Sequence, residues 1–372
     1  MDAVWIGVAA RGERAVTRLE AWLEQRERGL GVWGVAVLAA TALLALGALY
    51  VRPALEAVSH GVYYAELSRA PFAPGDNPVA YRILTPLVAW ALGLRGNRIL
   101  LLNLVFAWAT LVLVYQHYRA SGRPAVLALG YAALLGTSMP ILFTLHVNGY
   151  TDAASYLLLW VLVARARKPW QFGLLVLLSL LNRESVAFML PFLLLLQWRR
   201  GAGLRASLLA TALALGVYLG VRYALGRQAA SAQSVTFYLA PLLRDPLHWL
   251  RKASVAYQAG LFSAFKLFWL LPLAGAVWAA CSRRWWDVAL LASAVGGALA
   301  QTVIAVDTSR MLCMAFPAVL LGAELLEPWL RERRGQAGLL ALVVLNLGVP
   351  QQYVAGNAIY VVQTLLGYVL TH

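Results

Sequence analysis

The stretch GVWGVAVLAATALLALGALYV, residues 31–51, carries no charged side chain over 21 positions. As a helix rising 1.5 Å per residue it covers about 30 Å, the thickness of a bilayer hydrocarbon core. Two further runs read the same way, ILLLNLVFAWATLVLVY (99–115) and LLALVVLNLGVPQQYV (339–354). The composition agrees: 61% of the 372 residues are hydrophobic and 13% charged, where a soluble domain carries about a quarter charged. The chain therefore reads as all-α, a polytopic transmembrane helical bundle of about ten or eleven spans. The short alternating strands of an outer-membrane barrel are not seen in the sequence.

A net charge of +15, from 31 basic and 16 acidic residues, would suggest nucleic acid in a soluble protein. Here the basic residues sit in short links between apolar runs: HYRASGR (117–123), RARK (165–168), WRRGAGLR (198–205), SRR (282–284) and RERR (331–334). That is an orientation signal, not a nucleic-acid surface. Placing every link and the N-terminus in the cytoplasm of a bacterial inner membrane gives a consistent topology. Spans fall near 31–51, 98–116, 124–145, 150–164, 206–225, 257–280, 286–305, 311–329 and 337–354, with a hairpin at 170–198. Residues 1–30 form a cytoplasmic segment, and 31–372 a single transmembrane domain. Within the N-terminal segment, RGERAVTRLEAWLEQRERG (11–29) places Val16, Leu19, Trp22 and Leu23 at helical spacing. It is an amphipathic surface helix or a solvated lead-in; with acidic residues in its thirty positions it is no secretory signal. Cys281 and Cys313 lack a CxxC spacing and read as small buried hydrophobes.

Two extracytoplasmic loops are long, 53–97 and 226–255. In the first, AYRILTPLVAWALG is too short to span and suits a membrane-surface helix; in the second, RDPLHWLRK suits the interface. The tail, 355–372, is either a short last span or an outer-surface helix. The stretch SLLNRESVAFMLPF (179–192) sets two charges inside an apolar run flanked on both sides by basic links. Each arm holds about fourteen residues, roughly 20 Å of helix, too short to cross. The run is thus a short re-entrant hairpin whose tip, Asn182-Arg183-Glu184, sits against protein or a watered cavity.

Sorted by side, the outer ends collect His60, Glu66, Asp76 and Arg82, then His146, Asn148 and Asp152, then the hairpin tip, then Asp307 and Arg310. Each has a plain explanation taken singly: Asp152 and Asp307 as helix caps, Arg183 and Glu184 as a structural ion pair, the histidines as hydrogen-bonded side chains. Four separate segments sending carboxylates and arginines to one membrane face is harder to obtain from capping alone, because charge at membrane depth is costly. Arg82, Arg183 and Arg310 suit a lipid-linked phosphate, which a guanidinium grips bidentately. Asn182, His146, Tyr81 and Asp307 complete the candidate binding set, and Glu66, Asp76, Asp152 and Glu184 the candidate catalytic carboxylates, one serving as general base toward an acceptor hydroxyl. A divalent cation, Mg²⁺ or Mn²⁺, is left open at Asp152 and Glu184. No GxxxxGK[ST], GxSxG, HExxH or GxGxxG in suitable context points to nucleotide, serine-hydrolase or zinc chemistry.

The segment NPVAYRILTPLVAWALG (77–93), with GYTDAASYLLL (149–159), LNRESVAFMLPF (181–192) and DTSRMLCMAFP (307–317), resembles motifs of the GT-C superfamily of membrane glycosyltransferases, in its uncharacterised bacterial branch. The resemblance covers roughly 31–200 and 300–320. It implies a first span followed by a long outer loop with surface helices, and transfer of a sugar from a polyprenyl-phosphate donor to an extracytoplasmic acceptor. It also implies an acidic base in the first outer loop, for which Glu56, Glu66 and Asp76 compete here. Two rivals stay open: a transporter or flippase of a lipid-linked or anionic substrate, and a non-catalytic GT-C-like subunit bound to a membrane-protein partner. The expected partners are a lipid-linked phosphate and membrane lipids, not nucleic acid.

Overall fold

The computed structural model describes residues 2–73, 75–227, 243–245, 247–248, 251, 256–304, 307–355 and 358–362, with side chains from residue 10 onward. Helix accounts for 77% of the chain and strand for 2%, so the all-α reading holds except for one hairpin. Most of the 226–255 loop and most of the tail lie outside the described residues.

The first helix, α1 (Asp2–Tyr50), is two helices joined at Gly31, whose φ of 73° and ψ of 166° suit a residue without Cβ. The kink falls where the charged segment gives way to the apolar run. Before it, Glu13, Val16, Glu20, Leu23 and Glu27 lie on one stripe at three- and four-residue spacing. That stripe docks on protein. Glu20 accepts the backbone N–H groups of Ala125 (2.8 Å) and Val126 (2.7 Å), Glu27 pairs with Arg119, and Glu13 meets Arg334 at 2.7 Å. The segment is helical, and much of its protein-facing side is acidic because it caps and pairs groups of the bundle.

Next come α2 (Gly61–Leu67) and α3 (Leu84–Ala91) in the 53–97 segment, then α4 (Ile99–Ala120), α5 (Ala125–Gly136) and α6 (Met139–His146). They are followed by α7 (Asp152–Ala164), α8 (Pro169–Asn182), a 3₁₀ turn Glu184–Met189, α9 (Leu190–Arg199) and α10 (Leu204–Gly226). Beyond residue 255 run α11 (Tyr257–Phe265), a 3₁₀ turn Lys266–Trp269, α12 (Leu270–Cys281) and α13 (Trp285–Gln301). The last helices are α14 (Thr308–Leu312), α15 (Phe316–Leu325), α16 (Glu327–Leu330) and α17 (Arg333–Gly348).

Among the described residues, five helical stretches are long and apolar enough to cross a membrane alone: Ala10–Tyr50, Gly96–Ala120, Leu204–Gly226, Tyr257–Cys281 and Thr308–Leu325. The pair α5 and α6, bent by 50° at its junction, makes a sixth if taken as one span. The chain is a multi-pass membrane protein by these helices. The larger count of spans read from hydropathy includes runs that fold as shorter pieces, among them α7.

The 170–198 hairpin is present. At its base Gln197 donates to the Ala166 carbonyl at 3.0 Å, and at its tip Asn182 donates to Thr151 O at 2.8 Å. The base therefore lies by the end of α7 and the tip by its start. Gly173 lets α10 close on α8: a Cβ there would stand 2.9 Å from Ala210 Cβ. The opposite side of α10, with Leu209, Leu213 and Leu219 exposed, suits lipid contact.

The apolar run 337–354 does not stay helical to its end. The helix α17 stops at Gly348, and β1 (Gln352–Ala355) pairs antiparallel with β2 (Ala358–Val361). Neither alternative offered for the start of the tail, a span or a surface helix, applies to residues 358–361.

The five basic links gather at one end. Arg165 bonds Gln116, Gln197 bonds Ala166 O, Arg199 and Arg284 share Asp287, and Arg123 and Arg331 share Glu327. The acidic stripe of α1 joins them. The outer set of the sequence reading lies at the opposite end.

Candidate functional site

That opposite end holds a polar ion-pair cluster, called the chamber below, built from four segments. The 77–85 segment is shaped by Asn77, whose Nδ2 donates to Tyr63 O (2.8 Å) and whose Oδ1 accepts from Val79 N–H (3.0 Å). This fold-back delivers Arg82. Its Nε and Nη2 grip Glu184 bidentately at 2.9 and 2.5 Å, while Nη1 donates to Tyr64 OH at 2.8 Å. Asp152 opens α7 and Arg310 lies on α14, while Asn182, Arg183 and Glu184 supply the hairpin tip.

Asp152, only 2% exposed, pairs with Arg183 and stands 4.0 Å from Arg310 Nε. Arg310 in turn binds Asp307 at 3.0 Å and lies 4.6 Å over the Tyr150 ring. Its Nε is buried and has no hydrogen-bond partner among the described residues. Asn182, fully buried, accepts from Thr85 Oγ1 (2.6 Å) and donates to Thr151 O and Ser155 Oγ, both at 2.8 Å. It locks the hairpin tip to α7 and to the start of α3. Neither Asp152 nor Asp307 acts as a helix cap, since no capping hydrogen bond is made at Thr151 or at Asp307. Both carboxylates serve arginines instead.

Burial alone would push the Glu184 carboxyl up, but contact with Arg82 overrides it and holds the group at about 2. Burial likewise works against charge on Arg82, and Glu184 and Tyr64 more than offset it, keeping that guanidinium well above its ordinary value. His60 stands at the chamber rim, its backbone N–H 3.4 Å from Tyr150 OH. Desolvation first, then Arg310, hold its imidazole below the ordinary value, with Asp307 opposing.

The sequence-level candidates divide cleanly. Arg82, Asp152, Asn182, Arg183, Glu184, Asp307 and Arg310 converge. Tyr81 lies beneath Arg82, 5.5 Å from ring centre to guanidinium, with Arg222 of α10 at 3.8 Å. His146 is turned to the Arg52 carbonyl (3.2 Å) and the Tyr353 ring (5.9 Å), outside the ion-pair cluster. Glu66 and Asp76 are exposed and make no ion pair among the described residues. Tyr64, one of the loop aromatics that the sequence offers for stacking on a sugar, instead holds Arg82 through its hydroxyl; Thr85, Tyr150 and Arg222 belong to the chamber but were not singled out. A tyrosine in a membrane protein reads first as part of an interfacial belt, and Arg222 looked like the end of a span.

Among the described residues no three His, Cys, Asp or Glu side chains converge as metal ligands. Asp152 and Glu184 are each held by a guanidinium, so this donor set does not fit a divalent cation. With the geometry defined, comparison with known proteins adds nothing to it. No family model, curated protein or solved structure matches the chain.

Proposed function

We propose that the protein is a membrane glycosyltransferase with a GT-C-like arrangement, moving a sugar from a polyprenyl-phosphate-type donor to an extracytoplasmic acceptor. The basic end then lies in the cytoplasm of a bacterial inner membrane, by the positive-inside rule, and the chamber opens outward. One observation carries the reading. Three arginines and three carboxylates from the 77–85 segment, α7, the hairpin tip and the start of α14 meet beside a short surface helix, α3.

Arg82, Arg183 and Arg310 would take the donor phosphate, Arg310 Nε being a buried donor still lacking an acceptor. Asp152 and Glu184 hold Arg183 and Arg82 in place, and a carboxylate so tightly paired is a poor base. Asp307 is the freer one: it meets a single guanidinium, and its side chain is 29% exposed. In the reaction an acceptor hydroxyl attacks the anomeric carbon while its proton passes to Asp307. The bond from that carbon to the phosphate oxygen breaks, and polyprenyl phosphate leaves with the electron pair, its charge met by the arginines.

The test uses purified full-length protein in detergent. Undecaprenyl phosphate should raise its melting temperature saturably, and Arg82→Gln should weaken that response. With a polyprenyl-phosphate-linked hexose as donor, Asp307→Asn should reduce transfer at least 100-fold, the usual scale for general-base loss, without loss of folded protein. Absence of polyprenyl-phosphate binding to the wild type would remove this reading.

A second reading, transport of a lipid-linked or anionic substrate, draws on the break between α11 and α12. There Lys266 adopts φ 50°, is buried, and donates to Val349 O at 2.9 Å. Broken helices with buried cations occur at transport sites. Substrate flux in proteoliposomes without glycosyl transfer would favour it.

A further inference from the structure

The basic end encloses a cavity of about 320 Å³, remote from the chamber. Four arginines line it, Arg123, Arg199, Arg200 and Arg284, with three carboxylates, Asp287, Glu324 and Glu327. The carboxylates are oversubscribed. Asp287 is shared by Arg199 and Arg284, Glu327 by Arg123 and the neighbouring Arg331, and Glu324 accepts from Tyr118 OH at 2.8 Å. Five guanidinium groups on three carboxylates leave two positive charges without a counter-ion among these residues. Arg200 bonds the Val163 carbonyl through Nη2, while its Nη1 is buried and has no hydrogen-bond partner among the described residues. Burial and then the nearby Arg167 push the Arg200 guanidinium down to about 10, the direction expected where positive charge is in excess.

An excess of arginine in cytoplasmic links is expected of any membrane protein. That rule does not require arginines from three links to turn inward on one cavity, nor a buried donor to go unsatisfied. The flank of the cavity adds a second feature. A neighbouring cavity of about 290 Å³ shares Arg199 and is walled by Trp198 and Trp286. Their rings meet edge to face at 4.8 Å, and the side chains are 50% and 53% exposed. Tryptophan settles at the depth of lipid headgroups and glycerol. A pocket of unneutralised arginine opening sideways past paired tryptophans has the polarity profile of a phospholipid, phosphate inside and acyl chains beside the indoles.

We propose that this cavity binds the phosphate of an anionic phospholipid, through Arg200, Arg284 and Arg199, with Trp198 and Trp286 against the lipid's apolar part. Clustered basic side chains between helices recognise phosphate headgroups through charge-assisted hydrogen bonds. The same chemistry would accept free inorganic phosphate, and the experiment separates the two sources.

Full-length protein in a zwitterionic detergent is melted with added phosphatidylglycerol, phosphatidylcholine or inorganic phosphate. Phosphatidylglycerol should raise the melting temperature saturably and phosphatidylcholine should not. Arg200→Gln and Arg284→Gln should each raise the half-saturating lipid concentration about 10-fold, as loss of one charge-assisted contact implies. Arg98→Gln, an exposed arginine elsewhere, should leave it unchanged. Arg284 is 42% exposed and Asp287 keeps Arg199 without it, so that variant is expected to fold even if Arg200→Gln does not. A shift by inorganic phosphate alone, lost in the same variants, keeps the phosphate site and assigns it to the free ion. No response to either phosphatidylglycerol or inorganic phosphate, an equal response to phosphatidylcholine, or a response indifferent to both variants overturns the proposal.

Discussion

At the scale of single residues, the chamber is held by pairs in which each charge depends on its partner. Glu184→Gln leaves Arg82 with its hydrogen bond to Tyr64 OH but no carboxylate, and the guanidinium largely buried. Removing one member of a buried pair costs several kcal/mol; this pair retains 13% and 24% side-chain exposure, so a loss of about 1–3 kcal/mol is expected. The double variant Arg82→Gln/Glu184→Gln should recover part of it, read from melting temperatures in detergent. A double variant as unstable as the sum of its parts would mean the pair is not coupled. His60 gives a separate pH signature. Its folded-state affinity for a proton lies below the ordinary value, so the unfolded chain takes up that proton first, and stability falls as pH drops below about 6.5. Glu184 has the opposite linkage, its contribution being complete above its ordinary value of 4.5 and lost only as pH falls toward about 2. Between pH 5 and 7 Glu184 is therefore silent, and His60→Asn should remove part of the acid loss in that window. Seven of the eleven candidate site residues were legible as a group because charge is rare in this chain and fell at helix ends. Glu66 and Asp76 are exposed and lie apart from that group: in a polar loop, charge says nothing about which way a side chain faces.

At the scale of elements, the 170–198 hairpin was readable because two basic flanks and short arms leave a chain no other path. The β-hairpin near the C-terminus was missed although its signal was present. Tyr353, Val354, Ile359, Tyr360 and Val361 are β-formers, and the two residues between the strands in sequence are Gly-Asn, a pair that hairpin turns favour. Tyr353 and Val354 read as the end of the 337–354 span, and Ile359, Tyr360 and Val361 as part of the tail, a short span or a surface helix. Close helix crossings were not legible, since a glycine in sequence does not announce its neighbour. At Gly322 of α15 an added Cβ would lie 2.5 Å from Pro272 N and 2.6 Å from Leu271 C, both backbone atoms of α12. Gly322→Ala must therefore force α12 and α15 apart, at about 1–3 kcal/mol. Gly338 on α17, with open space around its added Cβ, is the matched control; Gly338→Ala should be neutral or slightly stabilising. Equal melting temperatures for the two variants would show that the crossing is not tightly packed.

At the scale of the whole molecule, charge is sorted by end. One end carries the five basic links and the acidic stripe of α1; the other carries the paired arginines and carboxylates of the chamber. This sorting has meaning only if the two ends face different compartments, and the native cysteines offer a direct check. Cys281 is exposed beside Arg283 and Arg284 at the basic end, and Cys313 is buried. Asp76 is exposed in the 53–97 segment, at the chamber end. With the basic end cytoplasmic, a membrane-impermeant maleimide added to intact bacterial cells should label Asp76→Cys and leave wild-type protein unlabelled. Opening the cells should then expose Cys281, while Cys313 stays protected until the protein is denatured. Labelling of Cys281 in intact cells would reverse the orientation. The chamber would then face the cytoplasm, and a donor presented at the outer leaflet could not reach Arg82 or Asp307. The proposed transfer reaction thus stands or falls with a measurement that involves no substrate at all.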